Sequence, residues 1–250
     1  MLSRYGFTKD LGAAIGEFRK GNFVLLHDSS SRENEFDLIV ASELVSEEHV
    51  SIMRRDAGGL LCLTVDHTVG ERLGLGFLQD IFRYSAARFP VLRHLLEEKE
   101  PYGDRSAFSV TINHRRTFTG VTDQDRALTI REMGKISKMA LENHTNCRRQ
   151  FASQFKSPGH VHLLLESKGS LASRRGHTEL SLHLCRLAGL TPSTAICEML
   201  DAKTHRALDM EGARAYAKQH GLYIIDGELL VRHYLEMSDC RPTIAYPSVS

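Results

Sequence analysis

The stretch Asp28-Ser29-Ser30-Ser31-Arg32-Glu33-Asn34-Glu35-Phe36-Asp37 separates two apolar runs, Phe23-Val24-Leu25-Leu26 and Leu38-Ile39-Val40. Apolar, polar and apolar segments in this order predict a strand, a loop and a second strand. The loop contains four carboxylates and one arginine within ten residues. A solvated turn needs fewer charged groups, so the loop favours a bound cation or a polyhydroxylated ligand. A charged surface turn is the alternative interpretation of this loop taken alone.

A second polar stretch, Arg174-Arg175-Gly176-His177-Thr178-Glu179, precedes a predicted helix. Free backbone N–H groups and the helix dipole at such a position favour an anion. Arg174 and Thr178 would flank this anion, for which phosphate is the natural candidate. His177 and one carboxylate of the acidic loop would suit a hard divalent cation, Mg²⁺ or Mn²⁺ rather than Zn²⁺. We therefore expect the fold to bring the two stretches together.

The bulk composition is that of an ordinary globular protein, since 42% of the 250 residues are hydrophobic and 25% are charged. The formal net charge of +1 gives no support to a nucleic-acid or anionic-membrane partner. No apolar run approaches the roughly 18 residues that a membrane helix needs, and residues 1–6 lack the apolar core of a secretion signal. Five cysteines without a Cys-x-x-Cys pair favour neither disulfides nor structural zinc. We therefore expect a reducing, cytoplasmic location.

Apolar periodicity, with helix-start and helix-stop residues, predicts the order of the secondary-structure elements. The predicted helices span residues 8–20, 46–58, 122–140, 178–188, 209–220 and 226–236. The predicted strands span residues 22–27, 36–42, 60–65, 108–112, 161–165, 194–199 and 222–225. Residues 67–105 are predicted as short helical pieces and loops, exposed at 97–105, and residues 141–157 as a mobile connection. The interleaving indicates one α/β-layered domain with a mixed sheet, residues 1–237, before a tail at 238–250 that we expect to be disordered.

A few further positions are candidates on residue type and local context alone. Glu198 is the one acid in its apolar strand, so it is either a proton-transfer group or an acid at a strand end that faces water. His160 follows a rigid Pro-Gly turn and, taken singly, is more often structural than catalytic. Thr119-Gly120 offers a hydroxyl and a close backbone approach, but a plain turn explains it equally well. Cys62, on a predicted central strand, is by default a core residue.

Five short motifs occur together, in an order and at a spacing that are specific although each motif alone is weak. They are Arg32-Glu33-Asn34-Glu35-x-Asp37, Thr119-Gly120-Val121-Thr122-x-x-Asp125-Arg126, Pro158-Gly159-His160, Arg174-x-Gly176-His177-Thr178-Glu179 and Ile196-Cys197-Glu198. In these motifs the chain resembles the 3,4-dihydroxy-2-butanone 4-phosphate synthases of riboflavin biosynthesis, over about residues 8–236. The stretch Ser106 to Thr119, with Asn113-His114-Arg115-Arg116, resembles the archaeal branch of that family.

The resemblance implies a monofunctional carbon–carbon lyase that converts D-ribulose 5-phosphate into L-3,4-dihydroxy-2-butanone 4-phosphate and formate. It also implies a three-layer α+β fold and a homodimer whose active sites draw on both subunits. We expect His160 to serve the partner's site, while Glu33 and His177 act within their own chain. The chain departs from the family at Phe36, where many members have glycine, and a bulky ring there would narrow the loop.

The resemblance further implies a set of site residues. Glu33 and His177 are the implied metal ligands, for Mg²⁺ or Mn²⁺ and two ions per site. The positions implied in catalysis are Asp28, Glu35, His160 and Glu198. The implied substrate contacts are Arg32, Glu33, Asp37, Thr119, Arg174, Arg175, Gly176, His177, Thr178 and Glu198.

Two other functions are compatible with parts of the pattern. A metal-dependent sugar-phosphate isomerase or hydrolase would use the same metal and phosphate groups, but only the synthase would release formate. A regulatory or RNA-binding protein would use the basic stretches near residues 115 and 148. The balanced net charge argues against nucleic acid.

Overall fold

The computed structural model describes residues 7, 10–97 and 99–239, and among them seven strands form one mixed sheet. These strands are β1 (Val24–His27), β2 (Phe36–Ala41), β3 (Cys62–Val65), β4 (Phe108–His114), β5 (Phe155–Leu165), β6 (Thr194–Glu198) and β9 (Tyr223–Asp226). Their order is β4-β5-β3-β6-β2-β1-β9, and β7 (Leu200–Asp201) and β8 (Arg206–Ala207) form a small separate hairpin. The pairs β3–β5 and β1–β9 are parallel, and the other neighbours are antiparallel.

Helices cover both faces of this sheet. They are α1 (Leu11–Arg19), α2 (Glu47–Ile52), α3 (His67–Leu73), α4 (Leu78–Ser85), α5 (Leu92–Leu95), α6 (Asp123–Leu141), α7 (Cys147–Gln154), α8 (His177–Ala188), α9 (Met210–His220) and α10 (Gly227–Asp239). In β2, Leu38 packs with α2 and α6, whereas the next residue, Ile39, packs with α1 and α8. Since successive side chains of a strand point to opposite faces, each apolar strand supplies two cores. This arrangement confirms the predicted three-layer α/β/α fold with a mixed sheet.

The acidic loop is held between two central strands by their register. Asp37 of β2 lies opposite Leu26 of β1 on one side and Glu198 of β6 on the other. Both neighbours of β2 are antiparallel to it. The loop between β1 and β2 therefore lies at the same end of the strands as the C-terminal end of β6. The helix α8 begins at His177 and is buried on most sides. Its N-terminus therefore has a fixed position relative to the acidic loop.

Two predicted segments differ from the structure. The predicted mobile connection at 141–157 contains α7 and the start of β5, because Cys147 and Phe155 are buried and the Phe151 ring stacks on Phe155. The segment predicted as exposed, 97–105, folds back on the acidic loop, where Tyr102 and Asp104 contact Arg32. The prediction for 141–157 was wrong, because its apolar residues pack in the core. The prediction for 97–105 holds only in part: Glu97, Lys99, Pro101 and Gly103 are exposed, but Asp104 binds Arg32, 72 residues away.

Several elements begin or end a few residues away from their predicted bounds. The first helix begins at Leu11 rather than residue 8, and the helix predicted to end at residue 58 continues past Ile52 as a π-helical turn that ends at Gly58. Gly58 has a φ of 81°, which is why glycine serves as this stop. The predicted tail falls outside the described residues from 240 onward. None of the helices in the described part of the chain has the length and apolar character required to span a bilayer.

Candidate active site

A cavity of about 240 Å³ lies where the acidic loop, the end of β6 and the start of α8 meet. Its wall includes predicted residues from each of these elements: Glu33, Asp37, Arg174, His177, Thr178 and Glu198. Cys62 on β3 and the segment from Glu100 to Phe108 supply further parts of the wall. The fold therefore brings the two stretches together, as the sequence predicts.

Asp28 organises the acidic loop from within. Its side chain is buried and accepts hydrogen bonds from the backbone N–H groups of Glu33, at 3.0 Å, and Glu35, at 3.2 Å. It also pairs with Arg32 at 3.1 Å. Asn34 takes a left-handed conformation with a φ of 57°, which asparagine tolerates better than most residues. Asp28 therefore shapes the loop that presents Glu33 and Glu35.

His177 lies among the carboxylates of the loop. Its Nδ1 is 3.2 Å from Glu33 Oε2, and its Nε2 is 3.7 Å from Asp37 Oδ1 and 3.2 Å from the carbonyl oxygen of Glu35. Burial lowers the pKa of His177, but Asp37 and Glu33 more than offset this and raise it to about 9. A protonated His177 therefore balances part of the negative charge of the loop, and a metal ion bound to its ring would have to displace that proton.

Burial and neighbouring charges move the pKa values of two loop carboxylates in opposite directions. Burial raises the pKa of Asp37 to about 7, against the opposing effect of His177 and with further help from Glu198. Burial also raises the pKa of Glu33, but hydrogen bonds from His177 and Tyr102 outweigh it, and the result is about 2. The environment thus favours the ionised form of Glu33, whereas it brings the pKa of Asp37 close to neutral pH.

These groups fit a divalent cation. One ligand atom from each of Asp28, Glu33 and His177 lies within 4.8 Å of the others. In addition, Asp37 Oδ1 is buried without a hydrogen-bond partner among the described residues. Carboxylate oxygens and one imidazole form a donor set that suits Mg²⁺ or Mn²⁺.

Two arginines with buried side chains lie next to each other here, Arg174 in the cavity wall and Arg32 beside it. Arg174 Nη1 binds Glu179 at 2.6 Å, and Arg32 Nη1 binds Glu33 at 2.8 Å. Asp104 reaches both arginines, at 2.7 Å from Arg32 Nε and 4.0 Å from Arg174 Nε. Its carboxylate therefore bridges the two guanidinium groups.

Gly176 and its neighbour Arg175 differ in their relation to the cavity. A Cβ at Gly176 would overlap the guanidinium groups of Arg174 and Arg32, so only glycine allows this close approach. Arg175 is exposed and lines a separate cavity with Ser31 and Arg232. Arg175 is thus not part of the cavity wall around His177.

Glu198 ends β6 with its side chain in the cavity wall. Its Oε2 accepts a hydrogen bond of 2.7 Å from the backbone N–H of Leu60. A Cβ at Gly59 would lie 2.5 Å from the same oxygen, which makes Gly59 part of the support for this carboxylate. Glu198 therefore lies in the cavity wall, partly exposed, with its carboxylate held by the backbone of Leu60.

His160 and Thr119 lie outside the cavity of their own chain. His160 is exposed on β5, and its ring contacts Asn113. The Thr119 hydroxyl bonds Asp125 at 3.4 Å. Sequence reasoning missed Tyr102 and Asp104, which carry no periodic or motif signal. Tyr102, whose ring lies 4.4 Å from Arg32 Cζ, follows Pro101 in a segment that has the composition of a surface loop.

Comparison with known proteins gives a consistent result. The sequence model of the 3,4-dihydroxy-2-butanone 4-phosphate synthase family matches residues 12–233. A synthase of that name from Methanothermobacter thermautotrophicus is 44% identical over 223 residues, 89% of this chain and 95% of the relative. One from Archaeoglobus fulgidus is 41% identical over 226 residues, 90% of this chain and 94% of the relative.

Solved structures agree with the sequence comparison. A 3,4-dihydroxy-2-butanone 4-phosphate synthase in complex with two magnesium ions superposes with a TM-score of 0.70 at 29% identity, over 91% of this chain and 97% of the other. The synthase of Candida albicans gives a TM-score of 0.69 at 29% identity, over 91% and 98% of the two chains. The predicted family is confirmed: this chain belongs to the 3,4-dihydroxy-2-butanone 4-phosphate synthases.

Proposed function

We propose that this chain converts D-ribulose 5-phosphate into L-3,4-dihydroxy-2-butanone 4-phosphate and formate. The observation that carries the proposal is one cavity whose wall joins Glu33 and His177 of the cation-type cluster to Arg174 and Thr178. Asp28 and Arg32 are not part of this wall, but both contact Glu33. The reaction is balanced without a co-substrate, since the five-carbon phosphate equals the four-carbon product plus formate. A site for it needs only to bind, orient and move protons.

The cation side of the cavity would hold Mg²⁺ or Mn²⁺ on Glu33 and His177. A related synthase is known in complex with two magnesium ions, and we propose two cations per site here. When bound, a divalent cation draws electron density from substrate oxygens and so favours loss of a proton from the adjacent carbon. Asp28 holds the loop so that Glu33 keeps its position toward His177.

The phosphate group of the substrate would bind at the other side. Arg174 and Arg32 supply guanidinium donors, and Thr178 lies in the first turn of α8, where backbone N–H groups are free to donate. Gly176 allows these groups to converge. Asp104 would leave the arginines when the phosphate arrives.

Proton transfers would fall to the carboxylates around the sugar. Glu198, Glu35 and Asp37 are candidates, and Asp37 is suited by a pKa of about 7, which burial produces. Burial, with help from Glu33, also raises the pKa of Glu35. Of these three groups, Asp37 is therefore the one whose pKa suits uptake and return of a proton near neutral pH.

We propose that the enzyme is a homodimer in which His160 completes the partner's site. Support comes from its position, exposed on β5 and outside the cavity of its own chain.

We further propose that residues 1–237 form one synthase domain and that the protein resides in the cytoplasm. The buried free thiols Cys62, Cys147, Cys185 and Cys197 fit a reducing compartment.

Formate release tests the proposed reaction. The protein is incubated with ribulose 5-phosphate and Mg²⁺, and formate is measured with an NAD-linked formate dehydrogenase. We expect one formate for each four-carbon phosphate formed, and a variant His177→Ala without turnover. A matched control is His94→Ala, because His94 is an exposed histidine that is not part of the cavity wall. A folded, metal-loaded protein that consumes the sugar phosphate without formate would instead be an isomerase or hydrolase.

A further inference from the structure

The side-chain amide of Asn113 holds the ring of His160 in a defined way. Asn113 lies on β4 and is 3% exposed. Its Oδ1 lies 2.8 Å from the backbone nitrogen of His160, and its Nδ2 lies 3.1 Å from Nδ1 of the His160 ring. A backbone N–H can only donate, so the atom facing it must be the amide oxygen. The NH₂ group is then the atom that faces the ring.

This geometry determines which ring nitrogen carries the proton. An amide NH₂ can only donate, so Nδ1 of His160 must accept, and a neutral ring then carries its proton on Nε2. A proton on Nδ1 would place two N–H groups against each other. The exposed Nε2 edge of His160 is therefore a hydrogen-bond donor.

The turn at Thr119-Gly120 packs against the Asn113 amide and keeps it in place. Gly120 has a φ of 94°, and a Cβ at this position would overlap the Asn113 amide. The backbone N–H of Gly120 bonds Asp125 Oδ2 at 2.8 Å, which fastens the turn to the first turn of α6. The carbonyl oxygen of Thr119 lies 3.4 Å from Asn113 Nδ2. The Thr119-Gly120 motif thus serves Asn113 rather than the cavity of its own chain.

We propose that Asn113 is a positioning residue that keeps His160 in the tautomer with the proton on Nε2, so that His160 stabilises developing negative charge on a substrate oxygen as a neutral donor. A neutral imidazole can act in this way when its other nitrogen is held by a partner. The proposal rests on the proposed function in one respect, the participation of His160 in turnover. The tautomer itself is a property of this chain that can be measured without substrate.

The substitution Asn113→Asp tests the proposal with almost no change in shape. The carboxylate can still accept the backbone N–H of His160, but its second oxygen also accepts, so the ring should move its proton to Nδ1. The ¹⁵N shifts of the ring nitrogens report this directly, with His160→Gln identifying the signals. The kcat and KM of the variant are measured at a pH at which the ¹⁵N spectrum shows that the His160 ring carries one proton. We expect kcat to fall by about 100-fold, since one donor to the transition state is lost, with little change in KM.

Asn143→Asp is the matched control, because it makes the same change in the exposed turn after α6 and should alter neither the His160 spectrum nor kcat. A wild-type spectrum with the proton on Nδ1 would overturn the proposal, even where the Asn113 variant does not fold. An unchanged ring in a folded Asn113→Asp, or a moved proton with normal kcat, would overturn it as well. Normal turnover by His160→Gln would instead remove His160 from the proposed reaction, and the ring spectra would still judge the role of Asn113.

Discussion

His183 makes the stability of this fold depend on pH at a residue that is not part of the cavity wall. It lies on α8, is 5% exposed, and packs its ring edge-on against Tyr234 at 5.4 Å and near His233 at 5.8 Å. Its Nε2 has no hydrogen-bond partner within the described part of the chain. Burial, followed by the charges of His233 and Arg186, lowers the pKa of His183 to about 4. The folded protein therefore holds this ring in its neutral form.

The direction of the pH dependence follows from the number of protons that His183 binds in the folded and in the unfolded chain. An unfolded histidine has a pKa of about 6.5, so between about pH 6.5 and 4 the unfolded chain binds more protons than the folded one. The free energy of unfolding therefore falls as the pH decreases through this window. At about pH 5 the unfolded ring is almost fully protonated while the folded ring is about nine-tenths neutral. Linkage then gives a loss of about 2 kcal/mol relative to about pH 7.5.

The assay is urea unfolding of wild type and His183→Phe at these two pH values. Phenylalanine keeps a flat ring of similar size and cannot titrate, so the difference between the two pH values should be about 2 kcal/mol smaller in the variant. The comparison uses the change in the free energy of unfolding between the two pH values, so contributions from titrating groups that both proteins share cancel. His94→Phe is the control, because His94 is exposed and its replacement should leave the pH difference unchanged. Equal pH differences in wild type and His183→Phe would refute the reasoning.

The remaining predictions concern the site. Glu198→Gln keeps an oxygen that can accept the backbone N–H of Leu60 but removes the ionisable proton. Turnover should fall about 100-fold or more while the free energy of unfolding is unchanged, and near-normal turnover would make Glu198 structural. Excess chelator should abolish formate release and Mg²⁺ or Mn²⁺ should restore it, whereas full turnover in chelator would contradict a cation requirement. Asp104→Asn should tighten binding of inorganic phosphate about 10-fold by calorimetry, because a charge-assisted competitor for both arginines is removed; unchanged affinity would contradict this. Mixing inactive His160→Ala and Glu33→Ala should restore about a quarter of the sites after random chain exchange, and a mixture that stays inactive after proven exchange would contradict a shared site.

The parts of the site that local sequence determines were predicted well. The acidic loop follows from apolar runs on either side of it, and the start of α8 follows from its composition, so both needed only local information. Their meeting in one cavity was predicted from chemistry and is confirmed by the packing. The role of Asp28 was harder to predict, because a carboxylate that caps its own loop and one that moves protons look alike in sequence. Its part in catalysis stays a prediction.

The missed contacts have a common physical cause. Tyr102 and Asp104 reach Arg32 across about seventy residues, and no periodic pattern records such a contact. The basic stretches near residues 115 and 148 illustrate the same difficulty. Arg116 pairs with Glu132 on α6, and Arg148 donates to the carbonyl oxygen of Arg72 at the end of α3. Arg116 and Arg148, whose charges suggest a polyanion partner in sequence, are thus bound to groups of the fold itself.

Phe36 illustrates how strand geometry separates the core from the cavity. The sequence raised the concern that its ring would narrow the acidic loop, but the side chain is 2% exposed and packs 4.7 Å from the His27 ring. Since neighbours on a strand point to opposite faces, burial of Phe36 in the core aims Asp37 toward the cavity. Removing so large a buried ring costs about 3–5 kcal/mol in a typical core. Phe36 therefore anchors the end of the loop next to His177 and leaves the cavity open.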